Sequence, residues 1–110
     1  MHELALVEEI LGIVTDASGG RPVRRVVLEV GKLSAVLPDA VRFCFDLVTA
    51  DTVAEGARLD IVETPGLGRC RACGGDVQLD GPLGRCAGCG GIDLDWITGE
   101  ELRITSVEVA

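Results

Sequence analysis

Apolar residues open the chain at a helical spacing. Leu4, Val7, Ile10, Leu11 and Val14 follow the i, i+3, i+4, i+7 rhythm, with Glu8 and Glu9 on the opposite side. This predicts a helix over 4–17, stopped by Ser18, Gly19 and Gly20. The rhythm then changes to alternation. In 23–30, Val26, Leu28 and Val30 alternate within a β-branched run, which predicts a strand that Gly31 ends. Pro38 suits the first position of a second helix, and Asp39 favours its positive end. Val41, Cys44, Phe45 and Val48 make that helix's apolar face. Residues 59–63 predict a short strand broken by Pro65-Gly66, and 102–109 returns to strand composition. The alternation of the last strand slips phase between Ile104 and Val107, as at a bulge or a strand buried on both sides.

Between these strands the texture changes. From Leu67 to Gly91 glycine is dense and large apolar residues are few, so the segment cannot bury enough surface to fold unaided. The final strand has no partner after this insert and is expected to pair with the strands before it. The expected fold is α/β (α+β): a three-stranded sheet with two helices, interrupted by a zinc-ribbon-like module of four cysteines. The expected domains are 1–64 together with 100–110, and 65–99.

Composition narrows the class. Of 110 residues, 47% are hydrophobic, which excludes a disordered chain. Phe43, Phe45 and Trp96 are the only aromatics, so the core is expected to consist of Val, Leu and Ile. A formal net charge of -8 disfavours bulk binding to nucleic acid and to anionic membrane surfaces. No apolar run reaches the roughly 18 residues that predict a membrane span. The early acids do not match a signal peptide, and a cytoplasmic protein is expected.

The most specific pattern is CRACGGDVQLDGPLGRCAGCGG. Cys70 and Cys73 form one CxxC pair and Cys86 and Cys89 another, with twelve residues between the pairs. Two such turns facing each other can complete a tetrahedron around one ion, and the glycines after each pair permit the tight backbone. A closed shell of four thiolates leaves no open position, so a zinc(II) ion there would be structural and would supply folding energy. Arg69, Arg71 and Arg85 lie beside the cysteines, either to offset thiolate charge or as ordinary solvated charge. A rubredoxin-like iron site would use the same pairs, but this insert has no aromatic between its cysteines. A zinc ribbon that regulates by gripping nucleic acid or protein is the other alternative; the nucleic-acid version would want a basic face with stacking aromatics. Cys44 is expected to be a buried thiol acting as a small hydrophobe.

His2 is the only histidine. That leaves no material for a Ser-His-Asp relay or an activated cysteine, and no enzyme is expected. It does stand beside two further nitrogen donors, the Met1 amine and its own backbone nitrogen. Three nitrogens in fused chelate rings suit the tetragonal preferences of Ni(II) and Cu(II), and Glu3 could add an oxygen. The positive pole of the following helix disfavours a cation there, which would hold affinity down.

MHE at the start, a strand ending in VGKLSAV, and the late CxxC-x12-CxxC insert together resemble the HypA/HybF family across essentially the whole chain. These are nickel metallochaperones of [NiFe]-hydrogenase maturation. The resemblance implies a nickel-ligand role for His2, with Glu3 and Met1 as co-ligand candidates. It implies a zinc-ligand role for Cys70, Cys73, Cys86 and Cys89. It implies a HypB-type GTPase and the hydrogenase large subunit as partners, with urease accessory proteins in some organisms. In some members an acid early in the second helix region is also discussed as a nickel contact. Leu37 occupies that column here, so the role is not carried onto the nearby Asp39.

Overall fold

The computed structural model describes residues 2–110, with His2 described through its backbone alone. The expectations placed on the Met1 amine and the His2 imidazole therefore lie outside the described residues. The elements, in order, are α1 (His2–Ser18), β1 (Val23–Gly31), α2 (Pro38–Val48), β2 (Arg58–Thr64), β3 (Gly66–Cys70), β4 (Asp76–Leu79), β5 (Leu94–Thr98) and β6 (Leu102–Val109). They form two three-stranded sheets, ordered β2-β1-β6 and β4-β3-β5. The chain divides into two compact units, one of Met1–Glu29, Val36–Val62 and Arg103–Ala110, the other of Val30–Ala35 and Glu63–Leu102.

In the first unit α1 packs on α2. Val7, Ile10 and Val14 of α1, Val26 and Leu28 of β1, and Val41 and Phe45 of α2 are buried. Leu4 was expected on this face but is exposed. At about 100° per residue it lies about 90° from the centre of the arc that Val7, Ile10 and Val14 define, so it falls on the shoulder of the helix. Gly19 and Gly20 end α1 with φ of 63° and 84°, a conformation in which a side chain is strained. The final strand takes its place beside β1, as the unpaired run at 102–109 required. Arg25 on β1 ties the three strands together, bonding Asp60 of β2 at 2.6 Å and Glu108 of β6 at 2.7 Å.

Two expectations about α2 need correction. Phe45 is among the largest fully buried side chains, so the core is not made of aliphatics alone. Cys44 is half-buried rather than buried, because the inward stripe of α2 runs through Val41 and Phe45 and leaves Cys44 at its edge. Truncating Phe45 to alanine removes the largest of these side chains. It is expected to cost about 3–5 kcal/mol, read as a lowered thermal midpoint with metal content unchanged.

The second unit holds a sheet that periodicity did not reveal. β3 pairs antiparallel with β4, Gly66 opposite Leu79 and Arg69 opposite Asp76. It also pairs antiparallel with β5, Cys70 opposite Leu94. These strands are short, and β3 carries glycine where neighbours come close: a Cβ on Gly68 would lie 3.1 Å from the Asp95 carbonyl oxygen. Glu101 fastens the turn before β6. Its carboxylate accepts the Gly99 N–H at 2.8 Å and the Thr64 hydroxyl at 3.3 Å. The Gly99 N–H, foremost, holds the Glu101 carboxyl below its ordinary 4.5. The bond's contribution is therefore full above pH 4.5 and lost as pH falls through the lower folded value. In an NMR titration the Glu101 carboxyl is expected to protonate below the unfolded chain's range.

Candidate metal centre

Each CxxC pair sits in a turn built the same way. In the first, the Gly74 N–H donates to the Cys70 carbonyl at 2.8 Å and the Cys70 N–H donates to the Gly75 carbonyl at 2.9 Å. In the second, Gly90 donates to Cys86 at 2.8 Å and Cys86 to Gly91 at 2.9 Å. Gly74 and Gly90 have matching φ values of 75° and 76°, a backbone that nearly any side chain would strain. The spacing and the glycines thus set the local shape, while β3 delivers Cys70 and its pairing with β5 holds the first turn in place. The Arg71 N–H donates to the Asp93 carbonyl at 3.0 Å, which adds a further tie just before β5.

The four sulfurs lie within 4.8 Å of one another. Cys70 and Cys89 are 3.6 Å apart, as are Cys73 and Cys86. A disulfide would require about 2.05 Å, so neither pair is bonded. Zinc–sulfur bonds of about 2.3 Å in a tetrahedron put the sulfurs about 3.8 Å apart, and the cluster fits that size. Cys70 and Cys86 are buried, whereas Cys73 and Cys89 face outward, so the centre is half enclosed.

The thiols also behave as a group in need of a cation. The N–H groups of Cys89 and Gly88 bring the Cys86 thiol down to about 7. The Gly91 N–H lowers Cys89, but the thiols of Cys70, Cys73 and Cys86 outweigh it and push Cys89 up to about 12. At Cys73 the Gly75 N–H is likewise outweighed by the thiols of Cys86 and Cys70, leaving that thiol raised. The surroundings thus favour the thiolate at Cys86 and disfavour it at Cys73 and Cys89, because thiolates this close repel one another. A divalent ion at this site would supply the missing charge.

The neighbouring arginines point elsewhere. Arg71 pairs with Asp95 at 2.7 Å and reaches Asp93 at 3.8 Å, and Arg69 meets Asp76 at 3.4 Å. The Asp95 partner raises the Arg71 guanidinium above its ordinary range, and Arg71 holds Asp95 below its own. These two arginines neutralise carboxylates of the module.

At the other end of the chain, Glu3 lies in the first turn of α1. Its carboxylate accepts the Leu37 N–H at 3.4 Å, at the cap position of α2, where no side chain of α2's own provides a cap. Among the described residues the four cysteines are the one cluster of three or more His, Cys, Asp or Glu groups arranged to hold a metal ion. The motifs gave no site role to Leu33, which stands within VGKLSAV and is buried in the same apolar cluster as Cys70 and Cys86. Its sequence signal is faint: a lone leucine between strand and helix, flanked by Gly31-Lys32 and Ser34.

Comparison with known proteins gives a consistent picture. The family described as HypA, hydrogenase/urease nickel incorporation, metallochaperone, matches residues 1–109. The hydrogenase maturation factor HypA of Nostoc punctiforme is 57% identical over 109 residues, covering 99% of this chain and 96% of its own. That of Geotalea uraniireducens is 45% identical, covering 99% of each chain. The solution structure of the Ni metallochaperone HypA from Helicobacter pylori shares the fold, with a TM-score of 0.66 at 22% identity, covering 97% of this chain and 96% of that one. A second HypA solution structure gives a TM-score of 0.64 at 25% identity, covering 100% of this chain and 97% of that one.

Proposed function

Because the chain belongs to the HypA family of nickel-incorporation metallochaperones, we propose that it binds Ni(II) at its amino end and delivers it for maturation of [NiFe]-hydrogenase, with a structural zinc(II) held by Cys70, Cys73, Cys86 and Cys89. The observation that carries this reading is a family match that runs from residue 1, over a chain whose four cysteine sulfurs lie within 4.8 Å of one another. One end offers nitrogen donors suited to nickel, the other a closed sulfur shell suited to zinc. Nickel is cargo, and zinc stays. The nickel set is the Met1 amine, the His2 backbone nitrogen and the His2 imidazole, with Glu3 able to add an oxygen. The Glu3 carboxylate already accepts the Leu37 N–H. A nickel ion drawing on Glu3 would thus compete with, or share, the bond at the start of α2.

Zinc supplies a folding constraint in this scheme. Cys70 and Cys86 hold it from the buried side and Cys73 and Cys89 from the outside. The chain acts as a carrier and not as a catalyst. Its partners are a HypB-type GTPase, the hydrogenase large subunit and, in some organisms, urease accessory proteins. The exposed side of α1, near Glu8 and Glu9, is the proposed contact, since it lies beside the nickel end in sequence. The proposed place of work is the cytoplasm; separately, no helix of the described residues is long and apolar enough to cross a membrane.

Metal analysis of untagged protein after nickel loading and gel filtration tests the reading. One zinc and about one nickel per chain is the expected outcome. Protein free of zinc would remove the structural role. A red protein containing iron would replace the reading with an electron carrier of the rubredoxin type.

A further inference from the structure

The second unit contains a piece of chain that belongs, by sequence, to the other half of the protein. Val30–Ala35 joins β1 to α2 yet clusters with Glu63–Leu102. Three backbone bonds fasten it there: Gly31 N–H to the Glu101 carbonyl at 2.7 Å, Lys32 N–H to Thr64 at 3.0 Å, and Leu33 N–H to Gly99 at 2.7 Å. The Lys32 ammonium adds a 3.4 Å pair with Asp80. The Leu33 side chain, only 3% exposed, completes a small cluster with Val77, Leu79, Cys70 and Cys86, against which the half-buried Leu94 packs.

Three glycines make room for this arrangement. A Cβ on Gly66 would lie 2.7 Å from the Leu33 Cγ. One on Gly99, where φ is +112°, would lie 2.6 Å from the Gly66 Cα and 3.1 Å from the same Leu33 carbon. One on Gly31 would lie 2.0 Å from the Gly99 carbonyl oxygen. Each distance is too short for a side chain to fit without displacing either Leu33 or the backbone that seats it.

The cluster has little else to bury. Apart from the two cysteines, its own residues contribute Val77 and Leu79, and Leu33 is the third large aliphatic. The two cysteines that share the cluster are the buried half of the sulfur set. We propose that Leu33 is a positioning residue of the four-thiolate centre: a plug, supplied from outside the cysteine insert, on which metal retention depends. The dependence runs both ways, since an ion that orders Cys70 and Cys86 also orders the surface that Leu33 fills. The proposal rests on the reading that the four thiolates hold a metal.

The test uses the full-length zinc-loaded chain and follows zinc transfer to a chromophoric chelator. Emptying a packed leucine site usually leaves a costly cavity, so Leu33→Ala is expected to release zinc at least about tenfold faster. Leu33→Met conserves volume and is expected to stay near the wild-type rate. Phe45→Ala, in the core of the first unit, serves as the control: its thermal midpoint falls but its zinc release stays near wild type. A second arm needs no substitution. Stripping zinc from the wild-type chain is expected to cost the Gly31, Lys32 and Leu33 amides their hydrogen-exchange protection while α1 amides keep theirs. Unchanged release from Leu33→Ala, equal acceleration by Phe45→Ala, or protection at 31–33 that survives zinc removal would each overturn the plug. A wild-type chain that retains no zinc would instead overturn the metal reading, and the plug with it.

Discussion

Replacing Cys89 with serine is expected to release the zinc and melt the second unit while α1 and α2 keep their helical signal. A serine hydroxyl is a poor substitute for a thiolate, and one lost sulfur opens a shell that four sulfurs had closed. Structural zinc in small peptides is worth about 10–16 kcal/mol near neutral pH, most of it expressed as folding. The rest of the unit offers little to replace it: Leu33, Val77 and Leu79 are the aliphatics of its buried cluster. Its ion pairs at Arg69 and Arg71 are exposed, and pairs of that kind contribute little to stability. The first unit has its own core on α1, β1 and α2 and draws on none of the four cysteines. Zinc analysis, far-ultraviolet circular dichroism and amide exchange of β3, β4 and β5 together read the outcome. A Cys89→Ser protein that keeps zinc and its exchange protection would show that the sulfur cluster does not need an ion. Cys70→Ser is expected to do at least as much damage, because Cys70 lies in the buried cluster.

The second large effect is expected at the amino end. Adding residues before Met1 turns the α-amine into an amide and takes away its ready lone pair, while the His2 imidazole survives. If the amine is a nickel donor, affinity should fall by more than the roughly 10- to 100-fold that losing an outer-shell partner costs. His2→Ala should weaken binding at least as much. Neither change touches the four cysteines, so zinc content and fold should hold. Acid should release nickel as well: protons compete for an imidazole as pH falls through about 6.5, and for an α-amine already below about 8. Calorimetric titration of untagged, extended and His2→Ala proteins separates the donors. Equal affinity in all three would take the amino end and His2 out of the site. A loss confined to His2→Ala would retain the imidazole and discard the amine.

Much of this protein could be read before folding because its information is local. The periodicity around Val7, Ile10 and Val14 marks α1, and the alternation of Val26, Leu28 and Val30 marks β1. In each case one face of a single element must meet a core. The CxxC turns are legible for the same reason, since residue spacing and the glycines behind it set where two sulfurs point. Pairing of the last strand with the early ones followed from exclusion, as nothing after the insert could partner it. What only the tertiary structure decided depends on neighbours distant in the chain. β3, β4 and β5 are too short to show a period, β3 has glycine at two of its five positions, and their existence rests on mutual pairing around Gly66 and Gly68. Cys44 sits at the edge of its face because the exact arc that α2 buries is chosen by what packs against it. Leu33 stands in the VGKLSAV stretch with no ligand chemistry of its own, yet it is buried beside Cys70 and Cys86 because Gly66 and Gly99, more than thirty residues away, leave its side chain room. Burial is a property of the assembled backbone, and no local pattern at Leu33 carries it.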